Sequence, residues 1–396
     1  MPEANIPKGW KSDKIENCVE ILDNKRVPLN KSERAKIQGD IPYYGATGQV
    51  DSINDFIFNE ELILLGEDGA PFLDISKNVA YLIKGKSWVN NHAHVMKGAK
   101  GILENKFLLY FLNSFNYKNF VNGTTRLKLN QSRLKEIPIS FPITTLQEKI
   151  IAEIEKEFSR LDESREELRD VMKKLSLYRK AILREALETR EGWEEKEIGE
   201  VCEIVRGGSP RPIKEYLTEE ADGVNWIKIR DATKSGKYIF TTNQKIKPSG
   251  LGKTRTVEKG DIILTNSMSF GRPYIMETKG AIHDGWLLLK QNKFIDKNYL
   301  YWILKSDNLF RQFSMTAKGS AVKNLNIDRV KLCKICYPKS LFIQQKIVSK
   351  IEAKFSIIDT TEKEVMKSLK KIQKLYKGIL KSAFEGKLVK EVEAKS

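Results

Sequence analysis

The sequence has few of the residues that build disulfide frameworks and metal centres. Its 396 residues include four cysteines and three histidines. Four cysteines do not make a disulfide scaffold for a chain of this length, so a reducing compartment, the cytoplasm, is expected. A structural zinc site needs four ligands in suitable spacing, and that spacing does not occur. The composition therefore argues against a secreted disulfide-rich protein and against a zinc module.

Long apolar runs and excess negative charge are missing as well. No stretch of 18 apolar residues occurs, and the segment MPEANIPKGWKSDK lacks the apolar centre of a signal peptide. Neither a membrane span nor secretion is therefore expected. Lysine and arginine outnumber aspartate and glutamate by 69 to 52, which leaves a net charge of +17. Such an excess favours a polyanionic partner, with nucleic acid ahead of a membrane surface. A basic protein without such a partner is the alternative.

Motifs for nucleotide and metal chemistry are incomplete. PSGLGKTR, 248–255, contains GKT, but lysine stands where a phosphate loop needs its first glycine, and no apolar strand precedes it. Cys333 and Cys336 form a CxxC pair without a second pair, which favours packing over zinc. His92 and His94 alternate along a predicted strand and would share one face, and His283, in the comparable place of the other half, is the one candidate third ligand. We therefore predict no metal site in this chain.

Catalytic constellations are equally incomplete. Asp261 with Glu277 and Lys279 resembles the PD-(D/E)xK nuclease pattern, but its proline is absent and the first half of the chain has no counterpart. No glycine-rich S-adenosylmethionine loop and no NPPF- or DPPY-type tetrapeptide occurs. We predict that the chain is not itself an enzyme. A self-sufficient nuclease that uses these acidic residues and a coiled-coil scaffold without a DNA role are the alternatives.

What the chain does have is an internal duplication. LQEKIIAEIEKEFSRLDE at 146–163 and IQQKIVSKIEAKFSIIDT at 343–360 agree at eight of eighteen places. Upstream, GTTRLKLNQSRLKEIPISFP at 123–142 matches GSAVKNLNIDRVKLCKICYP at 319–338. At the start of each half, KGWKSDKIENCVEIL at 8–22 matches EGWEEKEIGEVCEIV at 191–205. A period of about 190 residues is far too long for a solenoid and indicates two copies of one domain.

Each copy ends in a predicted long helix. Apolar residues recur in steps of three, four and seven, which is the stripe of an amphipathic helix. The stripes are Ile150, Ile154, Phe158, Leu161, Leu168, Met172, Leu175, Ile182 and Ala186, and then Ile347, Ile351, Phe355, Ile358, Val365, Leu369, Ile372, Ile379 and Ala383. Prolines precede both stripes and glycines follow them, so each helix should have roughly 40 residues. We predict that the stripes pair as an antiparallel coiled coil; the alternative is that each helix packs on its own globular half.

The globular halves alternate apolar strands with glycine-marked turns. ELILLGEDGAP and GDIILTNSMSFGRPYI each begin with a strand, and FLLYFLNS and NYLYWILKSD have the pattern of short amphipathic helices. The prediction is an α+β fold with a pseudo-twofold duplication. Its globular domains lie at 1–145 and 190–342, and its spacer helices lie at 146–189 and 343–390. Over half of the net positive charge falls on 190–342, so that half should make more phosphate contacts.

Two similar heads on spacer helices, with positive charge and no catalytic motif, are typical of a protein that reads two DNA half-sites. Loops that combine glycine with donors or aromatic side chains are the candidate contacts. They are Tyr43, Tyr44, Gly45, Thr47, Gly48, Thr124, Thr125, Arg126 and Lys128 in the first half, and Arg206, Gly207, Gly208, Ser209, Arg211, Lys228, Arg230, Ser320 and Lys323 in the second. In VNWIKIRDAT, Lys228 and Arg230 alternate with apolar residues and should share one strand face. The alternatives are core packing for the tyrosines and solvated surface for the basic residues.

Four ordered features carry a resemblance to a known family: EGWEEKEIGEVCEIVRGGSP, IPYYGATGQVDSINDFIFNEELILLGEDGAP, GTTRLKLNQSRLKEIPISFP, and the paired LQEKI and IQQKI helices. Together they resemble the specificity subunit of type I restriction-modification systems over nearly the whole chain. The resemblance implies two target-recognition domains, each reading one part of a split double-stranded DNA sequence, with the paired helices measuring the unread gap. It also implies a non-catalytic chain that recruits two adenine-N6 methyltransferase subunits and two restriction subunits. S-adenosylmethionine, ATP and Mg are expected on those partners, and no cofactor in this chain.

Overall fold

The computed structural model describes residues 6–74, 77–233, 235–266, 270–316 and 325–389. Contacts divide the chain into two compact units. Unit 1 comprises Met1–Asp170 and Val365–Ser396, and unit 2 comprises Val171–Glu364. In the described ranges no helix is long and apolar enough to cross a membrane.

Unit 1 is a mixed α+β domain. Its strands are β1 (Lys11–Lys14), β2 (Val19–Ile21), β3 (Gln38–Gly45), β4 (Gly48–Ile53), β5 (Phe58–Asn59), β6 (Leu62–Gly66), β7 (Ala80–Ile83), β8 (Lys86–Val89), β9 (Ala93–Gly98) and β10 (Pro138–Phe141). Its helices are α1 (Ile15–Cys18), α2 (Lys31–Lys36), α3 (Asn105–Ser114), α4 (Gln131–Lys135) and the first part of α5 (Thr144–Ala186). One four-stranded sheet has the order β2-β9-β6-β7, the other has the order β4-β3-β8-β5, and β1 pairs with β10.

Strand β6 lies between two apolar cores of unit 1. Ile63 and Leu65 enter the core that contains helix α3, whereas Leu62 and Leu64 enter a second core on the other face. Successive side chains of a strand point to opposite faces, so a strand covered on both sides must be apolar at every position. The sequence LILL satisfies this requirement, which explains why it reads as an unbroken apolar run.

Unit 2 repeats this plan with one more strand in each of its two large sheets. Its strands are β11 (Trp193–Glu197), β12 (Cys202–Arg206), β13 (Leu217–Thr218), β14 (Val224–Ile227), β15 (Tyr238–Ile239), β16 (Lys245–Ile246), β17 (Arg255–Val257), β18 (Ile262–Thr265), β19 (Pro273–Met276), β20 (Gly280–Ile282), β21 (Trp286–Gln291) and β22 (Lys334–Pro338). Its helices are α6 (Ile198–Val201), α7 (Ile213–Tyr216), α8 (Ile229–Thr233), α9 (Lys297–Lys305), α10 (Asp307–Thr316), α11 (Ile327–Lys331), the last part of α5 and the first part of α12 (Leu341–Phe384), whose last part belongs to unit 1. The sheets have the orders β12-β21-β18-β19-β15 and β13-β16-β14-β20-β17, and β11 pairs with β22. The predicted α+β duplication is confirmed.

The two long helices pair in an antiparallel sense in each unit. In unit 1 the rings of Phe158 and Tyr376 lie 4.8 Å apart, and Tyr376 donates a hydrogen bond of 2.7 Å to Asp162. In unit 2 the partners of α5 fall earlier along α12: Arg179 donates to Glu362, and Lys354 lies 3.5 Å from Glu185. Later residues of α5 thus contact earlier residues of α12.

The predicted alternative, packing on the globular halves, is also present. Ile150 and Ile154 are part of the core of unit 1, and Ile351 and Ile358 are part of the core of unit 2. Every residue of the two predicted stripes is buried or half-buried. The two sequence-based alternatives are therefore not exclusive, because one stripe covers both a partner helix and a globular core.

Candidate nucleic-acid interface

In unit 1 the two predicted contact segments come together through backbone hydrogen bonds. The amide of Asn90 donates to Tyr44 O at 3.1 Å, which joins the loop after β8 to the end of β3. The loop after β6 donates to His92 O at 2.8 Å and to Leu127 O at 2.9 Å. These bonds connect the loops 44–48, 66–69, 90–92 and 122–128. The predicted tyrosine-glycine segment and the predicted threonine-arginine segment thus belong to one surface.

The basic side chains of this surface are tethered at its edge. Arg126 pairs with Asp68 at 2.7 Å and Lys128 with Glu67 at 3.3 Å, and about half or more of each basic side chain is exposed. Gly123 has a φ of 104°, and a Cβ there would lie 2.3 Å from Arg126 O, so the loop needs glycine to close. Thr124 and Thr125 lie exposed inside this loop. The loop therefore offers hydroxyl and guanidinium donors to solvent.

A buried ionic network lies beneath this surface, and sequence analysis did not predict it. His94 Nδ1 lies 2.6 Å from Asp23 Oδ2, and its Nε2 lies 2.8 Å from Leu129 O. Arg26 donates to Glu67 at 2.7 Å. Burial raises the pKa of Asp23, but the hydrogen bond and charge of His94 together with the other donors lower that pKa overall. The network fixes the base of the 122–128 loop.

The same network tests the prediction that this chain holds no metal. Ligand atoms of Asp23, Glu67 and His94 lie within 4.8 Å of one another, a grouping that could hold an ion. Both carboxylates, however, face Arg26, at 2.7 Å for Glu67 and 3.4 Å for Asp23. Because Arg26 and Lys128 together already offset these two negative charges, we assign the cluster a structural role.

Two sequence-based predictions for unit 1 need correction. His92 and His94 do not share a strand face, because β9 begins at Ala93 and His92 lies in the preceding turn, where it is half exposed. Tyr43 is only 1% exposed, and its hydroxyl is hydrogen-bonded to the backbone of Leu29. This geometry favours core packing for Tyr43. Its neighbours at the turn are accessible: Tyr44 half-buried and Thr47 exposed.

In unit 2 four of the predicted contact residues surround one cavity of about 1040 Å³. They are Ser209, Arg211, Lys228 and Arg230. The sequence separates them into two segments, and the fold brings both segments to the same opening. The remaining wall comes mainly from apolar side chains and from two aromatic rings that sequence analysis did not select, Trp226 and His283.

The segment 206–209 is a strap fixed to the turn after β20. Arg206 Nε donates to Asp284 O at 3.0 Å, and Ser209 Oγ donates to Asp284 Oδ1 at 2.6 Å. This second bond is the main reason that the pKa of Asp284 lies below its usual value. A Cβ on Gly207 would lie 2.2 Å from His283 O. Gly207 is therefore required for packing against protein backbone, a use that differs from the predicted close approach to DNA.

Lys228 and Arg230 do not lie on a strand face, contrary to the prediction. Strand β14 ends at Ile227, and helix α8 begins at Ile229. The cause is the buried side chain of Asp231. It accepts a hydrogen bond from the amide of Lys228 at 3.1 Å and another from Asn243 at 2.7 Å. An aspartate that bonds the amide three residues before it closes a helical turn and ends the strand. The turn still directs both basic residues to the cavity.

Other predicted features of unit 2 have ordinary structural roles. The GKT segment forms a 3₁₀ turn, Pro248–Lys253. Cys333 is buried, and Cys336 lies on β22. Glu277 pairs with Lys259 at 2.8 Å, so it is not presented as a free metal-binding carboxylate. Ser320 and Lys323, also predicted to contact DNA, lie outside the described residues.

Comparison with known proteins gives a consistent set of relatives. The family model described as the type I restriction modification DNA specificity domain matches residues 7–173 and 190–371. A Haemophilus influenzae protein named as a type I restriction enzyme specificity subunit is 27% identical over 383 residues, covering 93% of this chain and 92% of its own length. The EcoDI specificity subunit of Escherichia coli is 21% identical over 430 residues, covering 100% of this chain and 92% of its own.

Solved structures are similar in fold over nearly the whole chain. A chain from a study of complex assembly and conformational transition of the type I R-M system has a TM-score of 0.75 at 15% identity, covering 97% of this chain and 99% of its own. The HsdS subunit of Thermoanaerobacter tengcongensis has a TM-score of 0.56 at 17% identity, covering 98% and 99%. At these identities the likeness concerns the fold.

Proposed function

The chain belongs to the family of type I restriction modification DNA specificity domains, and from that premise we propose that it reads a bipartite, asymmetric DNA target for a type I restriction-modification complex. Each globular half would read one half-site. Because the two halves differ in sequence between their matched ends, the two half-sites should differ as well. The chain itself contributes specificity and spacing, and chemistry on the DNA belongs to its partners.

The observation that carries this proposal is that each unit presents loops rich in hydrogen-bond donors. In unit 1 exposed threonines and Arg126 lie on a loop that is anchored by an ionic network. In unit 2 Arg211, Lys228 and Arg230 surround one opening. Phosphate contacts by such cations position a protein on DNA, and contacts to base edges supply specificity. Rigid anchoring of the loops supports readout, because a mobile loop would lose entropy on binding.

We also propose that two methyltransferase subunits and the restriction subunits join this chain. The duplication supports a pair of equivalent docking positions, because each unit contains corresponding parts of the repeat and of the long helices. S-adenosylmethionine, ATP and Mg would bind those partner subunits. In this chain the segment that contains GKT forms a 3₁₀ turn, so it does not supply a phosphate loop.

The nuclease alternative has little support from the geometry. Asp261 accepts a hydrogen bond from the amide of Glu258 at 2.8 Å, and Lys279 pairs with Glu258 at 2.8 Å. Glu277 is held by Lys259. A metal-dependent nuclease needs carboxylates that are free to bind the ion. Here Asp261 is hydrogen-bonded to a backbone amide, and Glu277 is paired with a lysine.

The test is a binding selection on the purified chain with its methyltransferase partner. Random duplexes bound by the complex are sequenced, and the enriched set should contain two different short motifs at a fixed separation. Incubation of the chain alone with duplex DNA and magnesium tests the nuclease alternative, which predicts cleavage. Absence of any salt-sensitive DNA binding, with the methyltransferase partner present, would favour the scaffold alternative and contradict the proposal.

A further inference from the structure

The two units each contain a cavity at the same place in the duplicated fold. In unit 1 it lies beside the parallel pair of β3 and β8, between Tyr43, the segment 28–34 and the turn 90–92. In unit 2 it lies beside the parallel pair of β14 and β20, between Trp226, the segment 209–213 and the turn after β20. Corresponding elements frame both cavities. The cavity is therefore a property of the repeated domain, and unit 1 serves as an internal comparison for unit 2.

The cavity of unit 1 is small, and the arginine that lines it is engaged. Its volume is about 440 Å³. Arg34 pairs with Asp51 at 2.7 Å and lies 4.9 Å from the ring centre of Tyr43. The Tyr43 hydroxyl is held by the backbone of Leu29. Its main polar groups thus already have partners within the protein.

The cavity of unit 2 is more than twice as large, and its cations are unpaired. Arg211, Lys228 and Arg230 line it, and in the described part of the chain none of the three side chains has a carboxylate or hydrogen-bond partner. Three like charges near one apolar opening repel one another, and an anion placed among them would remove that cost. The volume, about 1040 Å³, is at the upper end of the range for small-molecule sites.

His283 contributes an aromatic ring to the wall of this cavity. Its ring lies 6.0 Å from that of Trp226, and its Nδ1 accepts a hydrogen bond from the amide of Gly285 at 2.8 Å. Burial lowers the pKa of His283, which favours the neutral ring, and the hydrogen bond that Nδ1 accepts leaves Nε2 as the nitrogen that donates. Beside it, Asp284 uses one oxygen for Ser209. A neutral ring, an N–H donor and a carboxylate oxygen are the groups with which proteins stack on and hydrogen-bond nucleobases.

We propose that the cavity of unit 2 binds a single nucleotide, with its base against His283, Ile213 and Ile229 and its phosphate at Arg211 and Lys228. Apolar walls with an aromatic ring suit a planar base, and the unpaired cations suit a phosphate. The nucleotide comes either from DNA, by rotation out of the double helix, or from free solution. The DNA source rests on the function proposed above, whereas binding of a free nucleotide does not.

The first experiment measures binding of free nucleotides to the full chain by calorimetry. The ligands are dAMP, dCMP, dGMP and dTMP, with the matching deoxynucleosides and inorganic phosphate for comparison. At least one monophosphate should bind more tightly than both its nucleoside and phosphate alone. Arg211→Gln should weaken it about tenfold, as expected for loss of a charge-assisted hydrogen bond. Lys290→Gln removes an exposed lysine of β21 that does not line the cavity, and it should leave nucleotide affinity unchanged.

A second variant separates loss of the site from loss of folding. Thr233 is exposed at the cavity wall, so Thr233→Trp fills the space without removing a buried group. It should abolish nucleotide binding while the circular dichroism spectrum and melting temperature stay at the wild-type values. Retained nucleotide affinity in a folded Thr233→Trp chain would place the ligand elsewhere and overturn the assignment.

The second experiment tests the DNA source with 2-aminopurine, whose fluorescence rises when the base leaves the stack. The label is placed in turn at each position of the duplex found by the binding selection. A rise at one position, absent with Thr233→Trp at saturating protein, identifies DNA as the source. Free-nucleotide binding without such a rise identifies solution nucleotide. If duplexes bind but neither free nucleotides nor labelled bases give a signal, this inference fails while the proposed function stands. If free nucleotides bind but no duplex binds, this inference stands while the proposed function fails.

Discussion

Arg230 is the exposed basic residue of α8 at the rim of the unit 2 cavity. A guanidinium that is not engaged by a carboxylate can form two parallel hydrogen bonds to a guanine edge. We predict that Arg230→Ala costs roughly 1–3 kcal/mol at one base pair and relaxes specificity there. The change should be confined to the half-site read by residues 190–342. The measurement is affinity for a panel of duplexes that differ from the target by single base pairs.

Lys290→Ala is the matched control for Arg230, because it also removes one exposed positive charge from unit 2. Loss of a phosphate contact lowers affinity for all sequences equally and reduces the salt slope by about one, without changing any base preference. Unchanged affinity of Arg230→Ala for every duplex, or an altered preference in the other half-site, would exclude Arg230 as a base reader.

His283 gives unit 2 a predicted dependence of stability on pH. Burial lowers its pKa from the ordinary value of 6.5; Lys228 acts in the same direction, and Asp284 opposes it. The unfolded chain therefore binds a proton more readily than the folded chain. The contribution to stability is complete above pH 6.5 and is lost as the pH falls through the lowered pKa of the folded state. Urea unfolding between pH 5 and 8 should show this loss in the wild type.

His283→Gln removes the titrating group and should flatten that pH dependence over the same range. The other charges facing the ring, Lys228 and Asp284, remain in the variant. An identical fall in unfolding free energy for wild type and variant would mean that another group is responsible.

Single residues were the hardest features to predict from sequence. Gly207 and Tyr43 have the composition of DNA-contacting loops, yet one is packed against backbone and the other is buried. Glycine permits close approach whether the neighbour is protein or DNA, so residue type alone does not distinguish the two. Trp226 and His283 carry no local signal, because their importance comes from the parallel pairing of β14 with β20.

At the scale of secondary structure, helix α5 shows how an interhelical contact supports folding. Phe158 is half-buried between the rings of Tyr110 and Tyr376, at 5.7 and 4.8 Å. Truncation of a fully buried phenylalanine to alanine lowers the free energy of unfolding by about 3–5 kcal/mol. Because Phe158 is partly exposed, we expect a loss of about 2 kcal/mol for Phe158→Ala. The free energy of unfolding should therefore fall by that amount in a denaturant titration.

Leu177→Ala is the control on the same helix, because Leu177 is 65% exposed. It should change the unfolding free energy by less than about 0.5 kcal/mol, as exposed substitutions usually do. If Phe158→Ala left stability unchanged and weakened assembly with the methyltransferase subunit, Phe158 would be a partner contact.

Long elements were predictable because their pattern repeats many times. The steps of three, four and seven continue through both helices, and the structure has helices of 43 and 44 residues there. The short segment VNWIKIRDAT contains only a few alternations, and one aspartate is enough to convert its second half into a helical turn. A short pattern is overruled by a single hydrogen bond, whereas a long one is not.

At the scale of the whole molecule, both long helices contribute residues to both units. We predict that insertion of four residues after Glu163, together with four after Leu369, lengthens the unread gap between the half-sites. Four residues extend a helix by about 6 Å, and the paired insertions keep the contacts of Tyr376 and Arg179 in register. The half-site sequences should not change. The measurement is the spacing in the binding selection described above.

The insertion after Glu163 alone is the comparison. It would displace α5 relative to α12 in one of the two units, so we expect lower stability than with the paired insertions. A change in the half-site sequences at constant separation would contradict the idea that the helices measure the gap.

Unit 1 is built from two separate stretches of chain, and this affects the order of folding during synthesis on the ribosome. Its core includes Phe107 and Phe384, and the ring of Phe384, which is made only after the whole of unit 2, lies 5.1 Å from that of Phe107. Leu380 and Ala383 belong to the same core. Unit 2, by contrast, is one uninterrupted stretch of chain. Domains generally fold as soon as their residues emerge, so unit 2 is able to fold first while the N-terminal part of unit 1 waits, incomplete and with exposed apolar surface, for the last turns of α12.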